Sequence, residues 1–244
     1  GSGSDRDVEL CISSGGKRKI LLAVEHFKDH KEENPEESST EHYNFIYKHV
    51  VGRKNIIFTN SRTDAENAVY YLKRINKTEN NRDQFYVHHG SVSAVLRHEV
   101  ENVLKEDFLN STVAATLTLE LGIDIGSVDQ VVQIDATHSI ASLIQRVGRS
   151  GRRDDKASNL FLYATNRWTL LQSVACWLLY DEKYIEPVYL NEKPYDILVH
   201  QILSIVKGLS GISKKQLIAE MRQNTSFKSI DASEIEGIID YLVE

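Results

Sequence analysis

Cysteine, proline and methionine are scarce in this sequence of 244 residues, which has two cysteines, three prolines and one methionine. The cysteines, Cys11 and Cys176, cannot form the disulfide framework of a small secreted domain, so a reducing, cytoplasmic setting is predicted. The N-terminus lacks the basic stretch and apolar core that are typical of a signal peptide. Residues 1–4, Gly-Ser-Gly-Ser, are interpreted as a cloning remnant outside the fold.

Long apolar runs are also lacking. A membrane-spanning helix needs about 18 consecutive apolar residues. The best candidate, residues 168–180, is shorter and contains Gln172 and Ser173. This segment is therefore predicted to be a buried helix, and no membrane partner is expected.

Positive charge is in deficit, because 29 lysines and arginines face 35 acidic residues and give a net charge of -6. This balance argues against a dedicated nucleic-acid coat protein, but it leaves room for a local basic groove. Hydrophobic residues make up 41% and charged residues 26%, which is ordinary for a folded soluble protein. At roughly 150 residues per domain, the length allows one large domain with a small appendix.

The order of apolar patterns predicts a larger N-terminal domain over residues 5–166. It would begin with a strand at 8–12, a helix at 19–27 and a mobile acidic loop at 28–42. Strands are then predicted at 55–59, 84–88, 112–116, 130–134 and 159–163, and helices around 65–75, 93–108 and 139–147. Strands that are apolar on both faces and alternate with helices predict an α/β fold, a parallel sheet with helices on both faces. Ligands bind such sheets at the carboxyl ends of the strands.

Strand patterns stop after residue 166. A connecting helix and linker are predicted at residues 167–194. Three helical patterns follow at residues 195–209, 213–222 and 233–243. Three short helices with tight turns are typical of a helix-turn-helix or winged-helix unit. Residues 195–244 are therefore predicted to be a small, all-helical part of a winged-helix domain.

An arginine-rich run follows the helix predicted at residues 139–147. It reads Gln145-Arg146-Val147-Gly148-Arg149-Ser150-Gly151-Arg152. Guanidinium groups offer forked donors that match phosphate oxygens, and glycines allow tight bends near a charged ligand. So many positive charges would repel one another without an anion. This favours a phosphate-facing role over the alternative, a solvated basic loop.

Three more polar clusters follow predicted strands. They are Asn60-Ser61-Arg62, His89-Gly90-Ser91 and the longer run from Thr116 to Gly126. The first two precede helix N-termini, where free N–H groups and the helix dipole suit phosphate. In the third, two threonine hydroxyls can contact phosphate, and Asp124 can accept a hydrogen bond from a sugar hydroxyl. Each could instead be a simple connector, but together they predict a phosphate-binding edge.

These runs resemble the fourth to sixth motifs of the second RecA-like domain of superfamily 2 helicases of the DEAD/DEAH type. The resemblance covers about residues 50–244. The segments Leu119-Glu120-Leu121-Gly122-Ile123-Asp124-Ile125-Gly126 and 145–152 are most similar to the large helicase-related (Lhr) family. Such a protein is an ATP-dependent translocase, with the 3′-to-5′ polarity that the family implies. Its partners would be single-stranded nucleic acid or a duplex with a single-stranded tail, and a first RecA-like domain of the same polypeptide.

The resemblance also implies residue roles. Arg149 and Arg152 would be arginine fingers that stabilise charge on the transferring γ-phosphoryl group. Gln145, Gly122 and Asp124 would approach the nucleotide. The residues that would hold the nucleic-acid backbone are Asn60, Arg62, Gly90, Ser91, Thr116 and Thr118. ATP and Mg²⁺ would be bound mainly by the first RecA-like domain, and no metal ligands are expected in this sequence.

The phosphate-cradling loop that a complete motor needs is absent from these 244 residues. Gly15-Gly16-Lys17-Arg18 lacks its spacing and its hydroxyl, and Asp181-Glu182-Lys183 lacks the strand context of a magnesium motif. The sequence is therefore predicted to be inactive as an ATPase by itself. Two alternatives stay open: a non-catalytic nucleic-acid-binding or scaffold module, and a translocase subunit of a restriction or defence complex.

Overall fold

The computed structural model describes residues 19–26, 35–106, 109–120, 123–151, 157–187 and 191–243, with only the backbone at 35–40. The chain divides into two compact units, one of residues 15–186 and one of residues 187–244 with 1–14. The predicted strand at 8–12 lies outside the described residues. In the part of the chain that is described, no helix combines the length and hydrophobicity needed to cross a bilayer.

The larger unit is built on a six-stranded sheet. Its strands are β1 (Ile20–His26), β2 (Asn55–Phe58), β3 (Phe85–His88), β4 (Thr112–Ala115), β5 (Gln130–Ile134) and β6 (Ser158–Ala164). They lie in the order β1-β6-β5-β2-β4-β3, and each neighbouring pair is parallel. The predicted parallel sheet is confirmed, and its three central strands β5, β2 and β4 are buried throughout because helices cover both faces.

Among the described residues, five helices cover the sheet. They are α1 (Pro35–Val50), α2 (Arg62–Thr78), α3 (Ala94–Lys105), α4 (Ile140–Val147) and α5 (Arg167–Asp181). Ile57 of β2 packs with Leu72 of α2 in one core, which also receives α1. The preceding Ile56 packs with Leu143 of α4 in a second core, which also receives α3 and α5. Successive strand residues point to opposite faces, so β2 contributes to both cores.

Strand β1 occupies residues that the sequence predicted as a helix at 19–27. Ile20, Leu22 and Val24 alternate along it and pack against the second core. The strand pairs with β6 over its whole length, from Ile20 opposite Ser158 to His26 opposite Ala164. The helix prediction was wrong because this short apolar run fits both periods, and pairing at the sheet edge selects the strand.

Helix α1 corrects the prediction of a mobile acidic loop at residues 28–42. The loop prediction is wrong over 35–42, where the backbone is helical, while residues 27–34 lie outside the described part. Ile46 and Val50, one turn apart, are fully buried in the first core. These anchors hold the C-terminal half of the helix, and the helix extends back to Pro35, a residue that the first helical position tolerates.

Helix α5 belongs to the larger unit and packs on β1, β6 and α4. The prediction of a buried helix was wrong, because Ser173 is its one residue classed as buried among those described. Trp177 packs against the second core, whereas the side chain of Trp168 is 65% exposed. The helix is apolar nearly all round, so its sequence could not indicate which face meets the sheet.

The smaller unit contains α6 (Tyr195–Leu209), α7 (Lys214–Gln223) and α8 (Ala232–Val243). Its core joins Leu198 and Ile202 of α6 to Leu217 of α7 and Ile235 of α8. Phe227, in a short 3-10 turn between α7 and α8, is also buried there. The three predicted helices are confirmed, and the assignment to a winged-helix domain stays a prediction.

Candidate phosphate-binding edge

Three neighbouring strands end beside one another at the edge where the polar clusters were predicted. Strands β2, β4 and β3 are adjacent and parallel, and they end at Phe58, Ala115 and His88. The Thr59 amide donates to the Ala115 carbonyl at 2.9 Å, which continues the pairing one step beyond the strands. The segments that carry Asn60, Gly90 and Thr116 therefore leave the sheet at one common edge.

Two of these segments are joined directly. The Arg62 guanidinium donates to the Ser91 hydroxyl at 2.7 Å, and both residues are exposed. Ser61 caps helix α2 by accepting from the Asp64 amide at 3.1 Å, so the first turn of α2 presents its N–H groups at this edge. Arginine has five N–H donors. One bond to Ser91 thus leaves donors for a phosphate.

The other residues that were predicted to contact the nucleic-acid backbone lie in different surroundings. The exposed Asn60 amide donates to the Ala136 carbonyl at 2.8 Å. Gly90 is exposed, and a Cβ added there would meet no atom within 4 Å. Thr116 is half-buried and immediately precedes a 3-10 turn, Leu117–Leu119. Asn60 and Gly90 therefore offer open surface, while Thr116 marks the start of the turn.

The Thr118 hydroxyl points to the end of β3. Its oxygen Oγ1 donates to the His88 carbonyl at 2.9 Å and lies 2.8 Å from His88 Nδ1. The other ring nitrogen, Nε2, lies 3.1 Å from the Glu101 carboxylate of α3. Thr118 is thus brought to the predicted edge, but its hydrogen bonds are made with His88.

The arginine-rich run folds back on the segment that follows β4. Arg149 is 5% exposed, and its guanidinium donates to the carbonyls of Glu120 and Ile123, each at 2.7 Å. Asp124 follows closely and is exposed, with Oδ1 accepting from the Gly126 amide. The structure therefore brings Arg149 and Asp124 to one segment, as the nucleotide prediction requires.

Gln145, also predicted near the nucleotide, is half-buried on α4, in the last turns before Arg149. The other two residues of that prediction, Arg152 and Gly122, lie outside the described residues. Their roles therefore remain predictions.

A buried ion pair that sequence reasoning missed lies beneath this segment. Arg146 Nε donates to the Glu120 carboxylate at 2.9 Å, and Nη1 donates to the Gln133 side chain of β5. Ser142 donates to the same carboxylate at 2.6 Å, and the Arg146 guanidinium lies 4.9 Å from the centre of the Phe58 ring. The sequence signal that could have indicated this ion pair is Glu120, a lone acidic residue in an apolar run.

This ion pair changes the interpretation of the arginine run. The prediction that all of these arginines need an external anion is wrong for Arg146, which is 1% exposed and has Glu120 as its internal counter-charge. Arg149 is bound by neutral carbonyl groups in the contacts described above. These partners of Arg149 are thus carbonyl dipoles, whereas the partner of Arg146 is a full negative charge.

Helix α4, which carries Gln145 and Arg146, is held at its N-terminus by Glu186. The carboxylate accepts from the Ile140 amide and from the Ala141 amide, the latter at 3.1 Å. The bond from Ile140 is the main reason that the pKa of Glu186 lies below its ordinary value. Ser139 caps the same helix by accepting from the Ser142 amide at 3.1 Å.

The 3-10 turn joins the two halves of the edge. Thr118 in the turn contacts His88, and Glu120 directly after it holds Arg146 and Arg149. Leu119 between them is fully buried in the second core. A shift of this turn would therefore move contacts on both the predicted nucleic-acid side and the predicted nucleotide side.

A metal site built by the protein would need several acidic, histidine or cysteine side chains close together. Among the residues that the structure describes, no group of three or more His, Cys, Asp or Glu side chains could hold a metal ion. The described residues therefore offer Mg²⁺ no cluster of three such side chains.

Comparison with known proteins gives matches over the region that contains this edge. Residues 40–154 match the family model of the helicase conserved C-terminal domain. The ATP-dependent helicase Lhr-Core of Sulfolobus acidocaldarius is 29% identical over 243 residues, which is 98% of this chain and 28% of that protein. The Lhr-Core protein 2 of Thermococcus barophilus is 35% identical over 153 residues, which is 63% of this chain and 17% of that protein.

Among solved structures, the Mycobacterium smegmatis helicase Lhr bound to ssDNA and AMP-PNP is similar. It is 28% identical, with a TM-score of 0.77, over 93% of this chain and 30% of that one. The chain thus spans less than a third of the length of each of these relatives.

Proposed function

We propose that this chain is the second motor domain of an ATP-dependent nucleic-acid translocase of superfamily 2, because residues 40–154 match the helicase conserved C-terminal domain and the chain is similar to Lhr helicases. The proposal rests on one observation above all: the turn at Leu117–Leu119 lies between the end of β3, which its Thr118 contacts, and the arginine-rich run, which Glu120 contacts directly after the turn. A protein that couples ATP hydrolysis to movement on a strand needs such a connection.

The nucleic-acid surface in this proposal consists of Asn60, Arg62, Gly90, Ser91, Thr116 and Thr118. Arg62 supplies a positive charge, and the N-termini of α2 and α3 supply backbone N–H groups. These donors suit phosphates and sugars, which carry little sequence information. The domain would therefore recognise a single strand, or a duplex with a single-stranded tail, and the translocase would move 3′ to 5′.

The nucleotide surface consists of Arg149, Arg152, Gln145, Gly122 and Asp124. We propose that Arg149 exchanges the carbonyls of Glu120 and Ile123 for oxygens of the γ-phosphoryl group when a first RecA-like domain brings ATP to this edge. Burial strengthens the attraction between a guanidinium and developing negative charge, because little water screens it. Arg152 would act beside it as a second finger, and Mg²⁺ would be held by the first domain.

The test uses the longer protein, with a first RecA-like domain preceding this chain. ATP hydrolysis is measured with and without single-stranded DNA or RNA for the wild type, Arg149→Ala and Arg149→Lys. We expect strand-stimulated hydrolysis that falls by about three orders of magnitude in Arg149→Ala, as for arginine fingers elsewhere. Lysine keeps the positive charge but cannot donate two parallel hydrogen bonds to a phosphate. Arg149→Lys should therefore hydrolyse ATP faster than Arg149→Ala but much more slowly than the wild type.

Controls separate catalysis from folding. Arg74→Ala removes an exposed arginine of α2 and should hydrolyse ATP at the wild-type rate. Melting curves show whether Arg149→Ala is folded. The 244-residue chain by itself should hydrolyse no ATP.

The two alternatives predict other results. Strand binding without any hydrolysis by the longer protein would favour the binding-module alternative. Hydrolysis that needs a partner subunit would favour a restriction or defence complex.

A further inference from the structure

His88 is a buried histidine that the proposed motor mechanism does not use. It is 1% exposed at the end of β3, and both ring nitrogens have polar neighbours. Nδ1 lies 2.8 Å from Thr118 Oγ1, and Nε2 lies 3.1 Å from Glu101 Oε1. The Thr118 hydroxyl also lies 2.9 Å from the His88 carbonyl. One histidine therefore offers Thr118 two partners.

The number of hydrogens limits what Thr118 can do. A hydroxyl has one hydrogen to donate, and phosphate oxygens only accept. In neutral His88 the hydrogen on Nε2 faces Glu101, which leaves Nδ1 as an acceptor. The Thr118 hydrogen then has two acceptors on His88, Nδ1 and the carbonyl oxygen, and a phosphate must compete with both.

Protonation reverses the direction of one of these bonds. In the imidazolium form Nδ1 carries a hydrogen and donates to Thr118 Oγ1. Of its two acceptors on His88, the Thr118 hydrogen then keeps the carbonyl, and a charged phosphate oxygen accepts more strongly than a neutral carbonyl. The contact of Thr118 with phosphate is therefore easier when His88 is protonated.

We infer that His88 is a positioning residue that, through Thr118, controls a contact with the nucleic-acid backbone. The inference rests on the proposed function, in which Thr118 faces a phosphate. His88 itself is buried and need not touch the strand.

The charged groups around His88 determine the direction of the pH effect. Burial is the main reason that its pKa lies below the ordinary value of 6.5, with Glu101 opposing and Arg97 adding to the decrease. Burial also disfavours ionised Glu101, yet its hydrogen bonds from His88 and His98 keep its pKa below the ordinary value. Glu101 therefore stays a carboxylate and can stabilise an imidazolium.

Binding should then take up a proton. The form of His88 that favours nucleic-acid binding is the protonated one. The extra affinity is therefore complete below the pKa that His88 has in the free protein. It is lost as the pH rises through the pKa that His88 has in the complex. Because a phosphate at Thr118 raises that second pKa, the change should fall around and below pH 6.5.

The experiment measures the dissociation constant of the chain for labelled oligothymidylate by fluorescence anisotropy, from about pH 5.5 to about pH 8. General charge effects also strengthen binding at low pH, so Thr118→Val, which keeps the shape but lacks the hydroxyl, serves as the reference. We expect the wild type to gain over Thr118→Val as the pH falls, by up to about tenfold once His88 is protonated, the value of a hydrogen bond to a charged group. The gain should vanish at the alkaline end.

Further variants assign the gain to His88. His88→Asn places an amide that does not titrate near the position of Nδ1, and it should lose the pH-dependent gain. Glu101→Gln removes the counter-charge and should move the transition to lower pH, which keeps the test valid if His88→Asn does not fold.

Thr118→Ser retains the hydroxyl and should retain the gain. His138→Asn removes an exposed histidine and should behave as the wild type.

Arg62→Ala separates failure of the inference from failure of the proposed function. If Arg62→Ala weakens binding while Thr118→Val follows the wild-type pH profile, His88 has no positioning role, although the proposed surface stands. If neither variant changes binding at any pH, both the surface and the inference are wrong. A transition that is unmoved in Glu101→Gln would likewise contradict the inference.

Discussion

Arg146 and Arg149 stand three residues apart, and their different partners give them different chemistry. Arg146 is paired with a carboxylate, so the net charge of that buried pair is zero. Arg149 is bound to the carbonyl oxygens of Glu120 and Ile123, which are dipoles and carry no full negative charge. Removing one member of a buried ion pair leaves an uncompensated charge. Substitution of Arg146 would thus report on stability, whereas substitution of Arg149 tests phosphate chemistry.

Gly151 allows a prediction about stability at a single residue. It has φ +65°, and a Cβ there would lie 2.9 Å from the Ser158 amide nitrogen and 2.9 Å from its hydroxyl oxygen. Gly151→Ala should therefore lower the free energy of unfolding by about 2 kcal/mol or more, from backbone strain and overlap with β6. Urea unfolding followed by tryptophan fluorescence measures this, because both tryptophans, Trp168 and Trp177, lie in the larger unit.

The matched control for this prediction is Gly90→Ala. Gly90 has open space around it and no positive φ, so its substitution should change the free energy of unfolding by less than about 0.5 kcal/mol. Equal effects of the two substitutions would contradict the explanation given for Gly151.

At the scale of elements, the sequence predicted the sheet well where strands and helices differ in period. Strands β2 to β6 and helices α2 to α4 were found, and the predicted RecA-like sheet is confirmed. The errors at β1, α1 and α5 share a cause: each depends on a tertiary neighbour. Pairing with β6 selects the strand at residues 20–26, and contacts with β1, β6 and α4 decide which face of α5 is covered.

The candidate site was predictable to a similar degree. Strand ends located Arg62, Ser91 and Thr118, because carboxyl ends of parallel strands share one edge. Their partners were not predictable from the sequence. The link between Thr118 and His88 spans 30 residues, and that between Arg146 and Glu120 spans 26, so both depend on strand order.

Helix α4 gives a prediction about pH. The hydrogen bond from the Ile140 amide lowers the pKa of Glu186 in the folded protein. Ionised Glu186 therefore stabilises the fold fully above its ordinary pKa of 4.5. This stabilisation is lost as the pH falls through the pKa that Glu186 has in the folded protein. Glu186→Gln should therefore unfold at a lower urea concentration than the wild type at pH 7, and the difference should shrink below pH 4.5.

The control for this prediction is Glu182→Gln. It removes the same charge from a nearby exposed position, the C-cap of α5, and should leave the urea midpoint unchanged. A constant difference between Glu186→Gln and the wild type at all pH values would show that the carboxylate charge does not act on α4.

At the scale of the whole molecule, a net charge of -6 opposes nucleic acid, so the binding proposed here would have to depend on local donors. Among the residues proposed to hold the backbone, Arg62 is the cation. For single strands, the logarithm of the binding constant falls with the logarithm of salt concentration by about 0.7 per phosphate neutralised. Arg62→Ala should therefore reduce this slope by about 0.7 and weaken binding most at low salt.

Arg74→Ala is the matched comparison, because it removes the same charge from the opposite end of the same helix, α2. Its slope should equal that of the wild type if Arg62 neutralises a specific phosphate. If both substitutions lower affinity and leave the slope unchanged, the net charge of the molecule governs binding. The nucleic acid would then not lie at the sheet edge formed by β2, β4 and β3. A slope that changes only in Arg62→Ala would locate one phosphate at the first turn of α2, within reach of Ser91.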